Sequence, residues 1–400
     1  MPTLSGRLDR VPVAASVAMT VRARALAAEG HDVIALTVGE PDFATPPHAI
    51  EAAHAAALRG DTKYPPQDGT PALKQAIRRK FLRDSGLDYP LDQIMVGNGG
   101  KQVIFDALMA TLDPGDEVIV PAPYWNAYPL ITRLVGGEPV VVPCPENNGF
   151  RLQPEALAAA ITPRTKWLIL NFPNNPTGAA CPDAEMAALG AVMLDHPQVW
   201  ILCDDMYEHL LYDGFRHATM AAVEPRLADR TLTLAGVSKT YAMTGWRIGF
   251  AGGPRALIRA MVQVQGHVNA GISTIGQAAA AAALDGPQEL VAARATEYQR
   301  RRDLVVEALN ATPGLRCHRP EGAFYVYPNV AFCLGRTTPA GRHLATDEDF
   351  AAALLDEAHV AVVQGASFGM SPYIRISYAA DAAVLTEACR RITAFCTALR

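Results

Sequence analysis

No stretch of about 18 apolar residues free of charge occurs in this 400-residue chain, so no membrane-spanning helix is expected. Met1 to Arg10 lacks a basic segment followed by an apolar one, so the start reads as mature sequence and not as a secretory signal. Basic residues are not in excess: 35 Lys and Arg stand against 40 Asp and Glu, a net charge of −5. A domain that holds a nucleic-acid backbone normally leans strongly basic, so no nucleic-acid partner is expected. The 7 cysteines (Cys144, Cys181, Cys203, Cys317, Cys333, Cys389 and Cys396) are odd in number and never in CxxC spacing. That argues against a disulfide framework and a structural zinc site, and favours a reducing, cytoplasmic compartment. The 10 histidines form no HExxH, and no metal site is expected.

What is present is an ordinary globular balance, 50% hydrophobic and 19% charged, long enough for two or three domains of roughly 150 residues. Helical patterns cover Val17–Glu29, Pro47–Leu58 and Lys101–Leu112. An apolar run, His31–Val38, leads into the turn cluster Gly39-Glu40-Pro41-Asp42. Short apolar runs predict strands at Gln93–Val96, Glu117–Val120, Val140–Val142, Trp167–Leu170, Trp200–Cys203, Thr231–Leu234 and Ile248–Ala251. Strands alternating with helices argue for an α/β fold with a mostly parallel sheet covered on both faces. After a long polar helix at Arg294–Asn310 the pattern changes. Strands are expected at Leu315–His318, Ala323–Tyr327, Ala361–Val363 and Ile374–Ser377, with helices at Asp347–Glu357 and Ala383–Leu399. This reads as a smaller α+β domain completed by the N-terminal segment.

In open α/β sheets ligands bind at the carboxyl ends of the strands, so the residues there carry the chemistry. Gly97-Asn98-Gly99-Gly100 precedes a helix, where bare backbone N–H groups and the helix dipole suit a phosphate. It is neither GxGxxG nor a P-loop, because Gln102 stands where each pattern needs another residue. Asn175 lies in Pro173-Asn174-Asn175-Pro176-Thr177-Gly178. Asp204, Asp205 and Tyr207 follow Cys203, and Ser238-Lys239 precede Thr244-Gly245-Trp246-Arg247. Singly, each has a bland reading as a turn, a cap or a surface charge. Together they supply a lysine amine, a carboxylate, ring-oxygen donors and a phosphate anchor, the set that pyridoxal-phosphate chemistry needs.

The strings GEPDF (Gly39 to Phe43), PNNPTG (Pro173 to Gly178), and SK followed by MTGWRIG (Met243 to Gly249) resemble the fold-type I, class I aminotransferases, in particular the bacterial aspartate/prephenate subgroup. The resemblance runs from about Leu8 to the C-terminus. It implies a large domain over residues 46–290 with a seven-stranded sheet, and a small domain from 1–45 and 291–400. It implies pyridoxal 5'-phosphate bound to Lys239, which would also shuttle the substrate proton. Asp204, not its neighbour Asp205, would face the pyridine nitrogen, and Tyr207 and Asn175 the phenolic oxygen. Arg247 would pair with the phosphate, Gly99, Gly100 and the backbone of Lys101 would cradle it with Ser238 as a further ligand, and Trp125 would stack on the ring.

The same resemblance places Arg375 on the substrate α-carboxylate, a bidentate role that lysine does not reproduce. Gly39 and Asn175 would support that carboxylate, and Phe324 would line the mouth. Ser16 and Lys101 would take a distal carboxylate, which favours aspartate or glutamate with a 2-oxo acid as partner substrate. Tyr64 would reach the neighbouring site of a homodimer. Departures at Pro12-Val13-Ala14-Ala15-Ser16, which lacks a lysine that the resemblance associates with prephenate, at Asn126-Ala127, at Phe172 and at His267 to Gly271 leave an aromatic or other hydrophobic amino acid open, and a prephenate-type substrate is a further alternative. A C–S β-lyase on the same scaffold stays open too. A regulatory PLP-binding module would need an added DNA-binding segment. A nicotinamide dehydrogenase would leave Lys239 and Arg247 unexplained.

Overall fold

The computed structural model describes residues 3–11 and 15–400, with 15 and 16 described as backbone only. The apolar runs become strands. A short β1 (Ile34–Ala35) precedes the strands of one seven-stranded sheet: β2 (Ile94–Asn98), β3 (Glu117–Ala122), β4 (Glu138–Pro143), β5 (Thr165–Asn171), β6 (Trp200–Asp204), β7 (Thr231–Gly236) and β8 (Ile248–Gly252). Their order is β2-β8-β7-β6-β5-β3-β4. Neighbours from β7 to β4 are parallel, and only β8 is reversed, antiparallel to both β2 and β7. Leu168, Ile169 and Leu170 are consecutive and all buried, as expected of a strand covered on both faces.

α1 (Ala15–Ala28) packs against residues 360–364, and the helices around the large sheet are α2 (Pro47–Leu58), α3 (Pro71–Ser85), α4 (Gly100–Met109), α5 (Ala127–Val135), α6 (Pro154–Ala160), α7 (Asp183–Leu194), α8 (Met220–Val223), α9 (Arg255–Val268) and α10 (Thr274–Asp285). Local chemistry explains several of their starts. Thr70 caps α3 by accepting from Leu73 N, and Pro71 occupies the first helical position, where its missing N–H is no loss. Alanines pack α2 closely on α10: Ala49, Ala53 and Ala56 on one helix, Ala279, Ala280 and Ala283 on the other, all buried.

A second hydrophobic core gathers α11 (Glu289–Asn310), β9 (Tyr325–Val326), α12 (Asp347–Ala358), β10 (Val360–Ala361), β12 (Ile374–Ser377) and α13 (Ala382–Thr397), and β11 (Val363–Gln364) joins a smaller cluster with Phe150, Tyr327 and Phe368. The N-terminal segment joins the second core, because β1 pairs with β10 and Leu36 enters it. Two sequence expectations change here. Leu315–His318 forms no strand, only a single bridge from Arg316 to Asn329. The side chain of Asn310 takes both the N–H and the carbonyl of Cys317, so those groups are not free for a ladder. The run 361–363 is split: β10 pairs with β1, whereas β11 pairs with β12. No helix among the described residues is long and apolar enough to cross a membrane.

Register sets the site. Asn171 lies beside Asp204, Asp204 beside Leu234, Gly236 beside Gly249, and Asn98 beside Ile248. The carboxyl ends of β2, β5, β6 and β7 and the start of β8 therefore share one edge.

Candidate active site

At that edge lies a cavity of about 490 Å³, lined by both the large sheet and the second core. Lys239, three residues past β7, projects into it and donates a 2.5 Å hydrogen bond to the carbonyl of Gly39. Burial pulls its ammonium down to about 8, the cations of Arg247 and Arg375 assist, and Glu40 and Asp204 oppose. A buried amine held near neutrality is a nucleophile and a proton carrier.

Asp204 closes β6 and is 4% exposed. Its Oδ2 accepts a 2.7 Å bond from the Tyr128 hydroxyl and its Oδ1 a 3.3 Å bond from Met206 N. Burial lifts this carboxyl to about 6, against the lowering effect of the Tyr128 bond. Asp205 points away, as strand alternation requires, and its carboxylate pairs with His217 at 3.1 Å.

Arg247 has φ 57, a left-handed backbone that a non-glycine residue adopts at a cost of order 1 kcal/mol. Its guanidinium donates to the carbonyls of Thr244 (2.9 Å) and Asn98 (3.2 Å), and no carboxylate among the described residues pairs with it. It presses on Gly99: a Cβ there would sit 2.4 Å from Arg247 Nη2, and φ is +77, so this position demands glycine. Lys101 Nζ lies 5.2 Å from the Trp125 ring centroid, and burial, then Arg247, lowers its pKa. The start of α4 thus collects the positive charge of Arg247 and Lys101, with no carboxylate paired to either among the described residues, at a helix N-terminus that suits an anion.

Arg375, on β12, crosses from the second core. Its Nη1 donates to Asn175 Oδ1 (2.9 Å) and its Nη2 to Thr37 O (2.5 Å), while Nε is buried without a partner. The guanidinium stacks between Tyr325 and Phe368, 4.8 and 4.9 Å from their centroids. Asn175 is itself set by Asn171, whose Oδ1 accepts from Asn175 N at 2.9 Å. Tyr207 shares a 2.8 Å hydroxyl–hydroxyl bond with Tyr325. A Cβ on Gly39 would lie 2.1 Å from the Tyr325 oxygen, so only glycine lets the chain pass there.

The cavity therefore brings together Gly39, Gly100, Lys101, Trp125, Asn175, Asp204, Tyr207, Ser238, Lys239, Arg247 and Arg375, with Gly99 directly behind Arg247. Phe324 lies one layer back, fully buried, with its ring 5.5 Å from that of Tyr207. Tyr64 is 91% exposed and outside the cavity. The side chain of Ser16 lies outside the described residues. Sequence reasoning missed Tyr128, Asn171 and Tyr325, and also Thr20, Val21 and Arg24 of α1. The signals for Tyr128 and Tyr325 were weak: Tyr325 is adjacent to the expected aromatic Phe324, and Tyr128 follows Trp125 by three residues without a motif of its own.

Residues 31–392 match the family described as aminotransferase class I and II. The chain is 56% identical over 399 residues to an aspartate/prephenate aminotransferase of Cereibacter sphaeroides, covering 100% of both chains. It is 54% identical over 395 residues to an aspartate aminotransferase of Rhizobium meliloti, covering 99% of this chain and 96% of that protein. The crystal structure of the Rhizobium meliloti aspartate aminotransferase superposes with a TM-score of 0.98, at 54% identity and full coverage of both chains. A Thermus thermophilus aspartate aminotransferase solved with maleate gives a TM-score of 0.91 at 41% identity, covering 99% of this chain and 100% of that one.

Proposed function

The chain belongs to the class I and II aminotransferases, and from that premise we propose that it moves the amino group of aspartate to a 2-oxo acid with pyridoxal 5'-phosphate as its cofactor. The observation that carries this reading is one cavity in which a buried amine, Lys239, meets a carboxylate, Asp204, an uncompensated cation, Arg247, and a stacked guanidinium, Arg375.

The residues fit the cofactor. Gly99 lets the Arg247 guanidinium pack close against the start of α4, and Arg247 with Gly100, the Lys101 backbone and Ser238 suits a phosphate. Asp204 would hold the pyridine nitrogen, Tyr207 and Asn175 the phenolic oxygen, Trp125 the ring face, and Lys239 the aldehyde carbon. When bound, the cofactor supplies an electron sink that acidifies the bond from the substrate Cα to its proton. Lys239 Nζ, partly neutral at physiological pH, takes that proton and returns it. Arg375 offers a guanidinium fork to the α-carboxylate, and its buried Nε has no partner within the protein. Asn175 Oδ1 keeps the fork in plane. Asp204, kept ionised with help from Tyr128, holds a proton on the ring nitrogen.

The dicarboxylate preference rests on Lys101 at the cavity wall and on maleate, a dicarboxylate, in the Thermus relative. Arg24, which also lines the cavity from α1, favours a second reading in which a larger diacid of the prephenate type is accepted too. Release of pyruvate and ammonia from a cysteine conjugate, with no conversion to the amine form of the cofactor, would point instead to a lyase.

A large domain over 46–290 and a small one from 1–45 and 291–400 draws support from the distinct clusters around the seven-stranded sheet and around α11 to α13, with Tyr207, Leu210 and Tyr212 of the large part joining the latter. An exposed Tyr64 supports a homodimer in which it reaches the partner's site. Seven free cysteines accord with a cytoplasmic setting.

The test is a half-reaction screen of the loaded enzyme against single amino acids. Aspartate and glutamate should bleach the cofactor's visible band. If only aromatic amino acids do so, the aspartate assignment is wrong.

A further inference from the structure

Gln102 stands on α4 just behind the Gly97–Gly100 loop. Its Oε1 accepts two N–H groups, Asn98 N at 3.0 Å and Asn269 Nδ2 at 2.8 Å. The carbonyl of the same Asn98 accepts from Arg247 Nη2 at 3.2 Å. A backbone N–H can only donate, so the Gln102 amide has one orientation and its Nε2 must face the opposite way. That Nε2 is buried without a hydrogen-bond partner. One turn further along the same helix face, Asp106 is 0% exposed, and both of its carboxyl oxygens also lack one. Gln265, on α9 packed against α4, has an unpaired buried Oε1 as well.

A buried carboxyl without a cation is stable only when neutral. The titratable or charged groups on the elements packed against α4 are Tyr128 and Arg133 of α5 and Arg255, Arg259 and His267 of α9. Lys101 is on α4 itself, and β2, β7 and β8 contribute none. None of these acts on Asp106: burial and the Gln102 amide are the only influences on it. Arg133 acts on Tyr124, and Arg255 and Arg259 on Asp92.

We propose that Gln102 and Asp106 are positioning residues that set how tightly the Gly97–Gly100 loop and Arg247 grip the cofactor's phosphate. The inference rests on the reading of that loop as a phosphate cradle. The chain of contacts is short: Gln102 holds Asn98 and Asn98 holds Arg247, while the unpaired Asp106 carboxyl lies one helical turn from the unpaired Gln102 Nε2. Burial pushes the Asp106 carboxyl up to about 7, countered in part by the Gln102 amide. Below that pH the neutral acid accommodates the Gln102 amide. Above it, an unpaired anion appears one turn behind the cradle, pulls Gln102 toward itself and disfavours a phosphate dianion. Cofactor affinity should then fall as pH rises through about 7.

The test measures binding of pyridoxal 5'-phosphate to the cofactor-free full chain by equilibrium dialysis, at about pH 6 and about pH 8.5. The variants are D106N, Q102L and R247A, each checked for folding by thermal melting. Between the two pH values, wild type should lose about tenfold more affinity than D106N, in which the titrating group is gone. Q102L should bind about tenfold more weakly at both. Pyridoxal without phosphate should not distinguish the variants. Equal pH dependence in wild type and D106N, or Q102L binding like wild type, overturns the proposal. If R247A keeps full phosphate-dependent affinity, the cradle reading itself fails, and the proposal with it.

Discussion

The hydroxyl of Tyr128 donates a 2.7 Å hydrogen bond to Oδ2 of Asp204, so the carboxylate at the end of β6 is held by a helix from the far side of the cavity. Both groups are buried. In that setting the bond favours the ionised form of Asp204, whereas burial favours the neutral one. Removing the hydroxyl leaves burial unopposed. Tyr128→Phe is expected to lower kcat/KM about tenfold, a typical loss for one charge-assisted hydrogen bond. The acid limb of the pH–rate profile should move to higher pH, because a carboxyl titrating near 6 is pushed further up. A profile that coincides with wild type would show that the bond is merely structural.

Lys239 gives a second pH signature. Its ammonium is lowered to about 8 by burial, and only the neutral amine can attack an aldehyde. Capture of the cofactor by the cofactor-free protein should accelerate with pH and level off above about 8. Stopped-flow absorbance reads this directly. A midpoint near the ordinary lysine value would mean that the burial seen here does not tune the amine. Lys239→Ala should abolish transfer; a variant that keeps full turnover removes Lys239 from the mechanism.

How much of this was legible beforehand differs by residue. Lys239, Asp204, Arg247 and Asn175 stand at strand ends inside short, patterned strings, so local sequence carries them. Asp205 could be set aside because strand alternation turns it outward, and it does pair with His217. Tyr128 has no such cue. Its value depends on how α5 lies across β6, a long-range packing outcome. Phe324 and Tyr325 show the limit from another side. They are adjacent, β9 has only two residues, and which one faces the cavity follows from its pairing with β12. The N-terminal helix α1 reads as an ordinary helix, and only folding brings its Arg24 to the cavity. The misread strand at 315–318 failed because one asparagine side chain substituted for a neighbouring strand.

The strand end that carries Tyr207 rests on a buried ion pair. Lys80 of α3 reaches Glu208 at 2.5 Å, and both are almost fully buried. Attraction to Lys80 keeps Glu208 below the usual carboxylate range even though burial raises it. Lys80→Met strands that carboxylate and should destabilise the protein by roughly 3–5 kcal/mol at neutral pH. A depressed carboxyl contributes stability above its unfolded pKa and loses it as pH falls through the folded one. The difference between wild type and variant should therefore shrink in acid. Urea unfolding at about pH 7 and about pH 4 checks both statements. A loss independent of pH would point to packing, not charge.

Arg375 and Lys101 should separate what is common to all substrates from what is specific. Arg375 is planar, stacked between two aromatic rings and already aligned by Asn175, so its fork is pre-organised for the α-carboxylate that every amino acid carries. Lysine in its place keeps a charge but neither the second parallel bond nor the stacking. Arg375→Lys should lower kcat/KM by about a hundredfold, equally for aspartate, glutamate and phenylalanine, a loss of roughly 3 kcal/mol. Lys101 sits against Trp125 at the cavity wall, where only a longer, charged side chain would meet it. Lys101→Ala should cost aspartate and glutamate about tenfold or more in kcat/KM and leave phenylalanine unchanged. Steady-state kinetics on the three donors decides the matter. Equal losses for all three in Lys101→Ala would place Lys101 with the phosphate and not with the substrate.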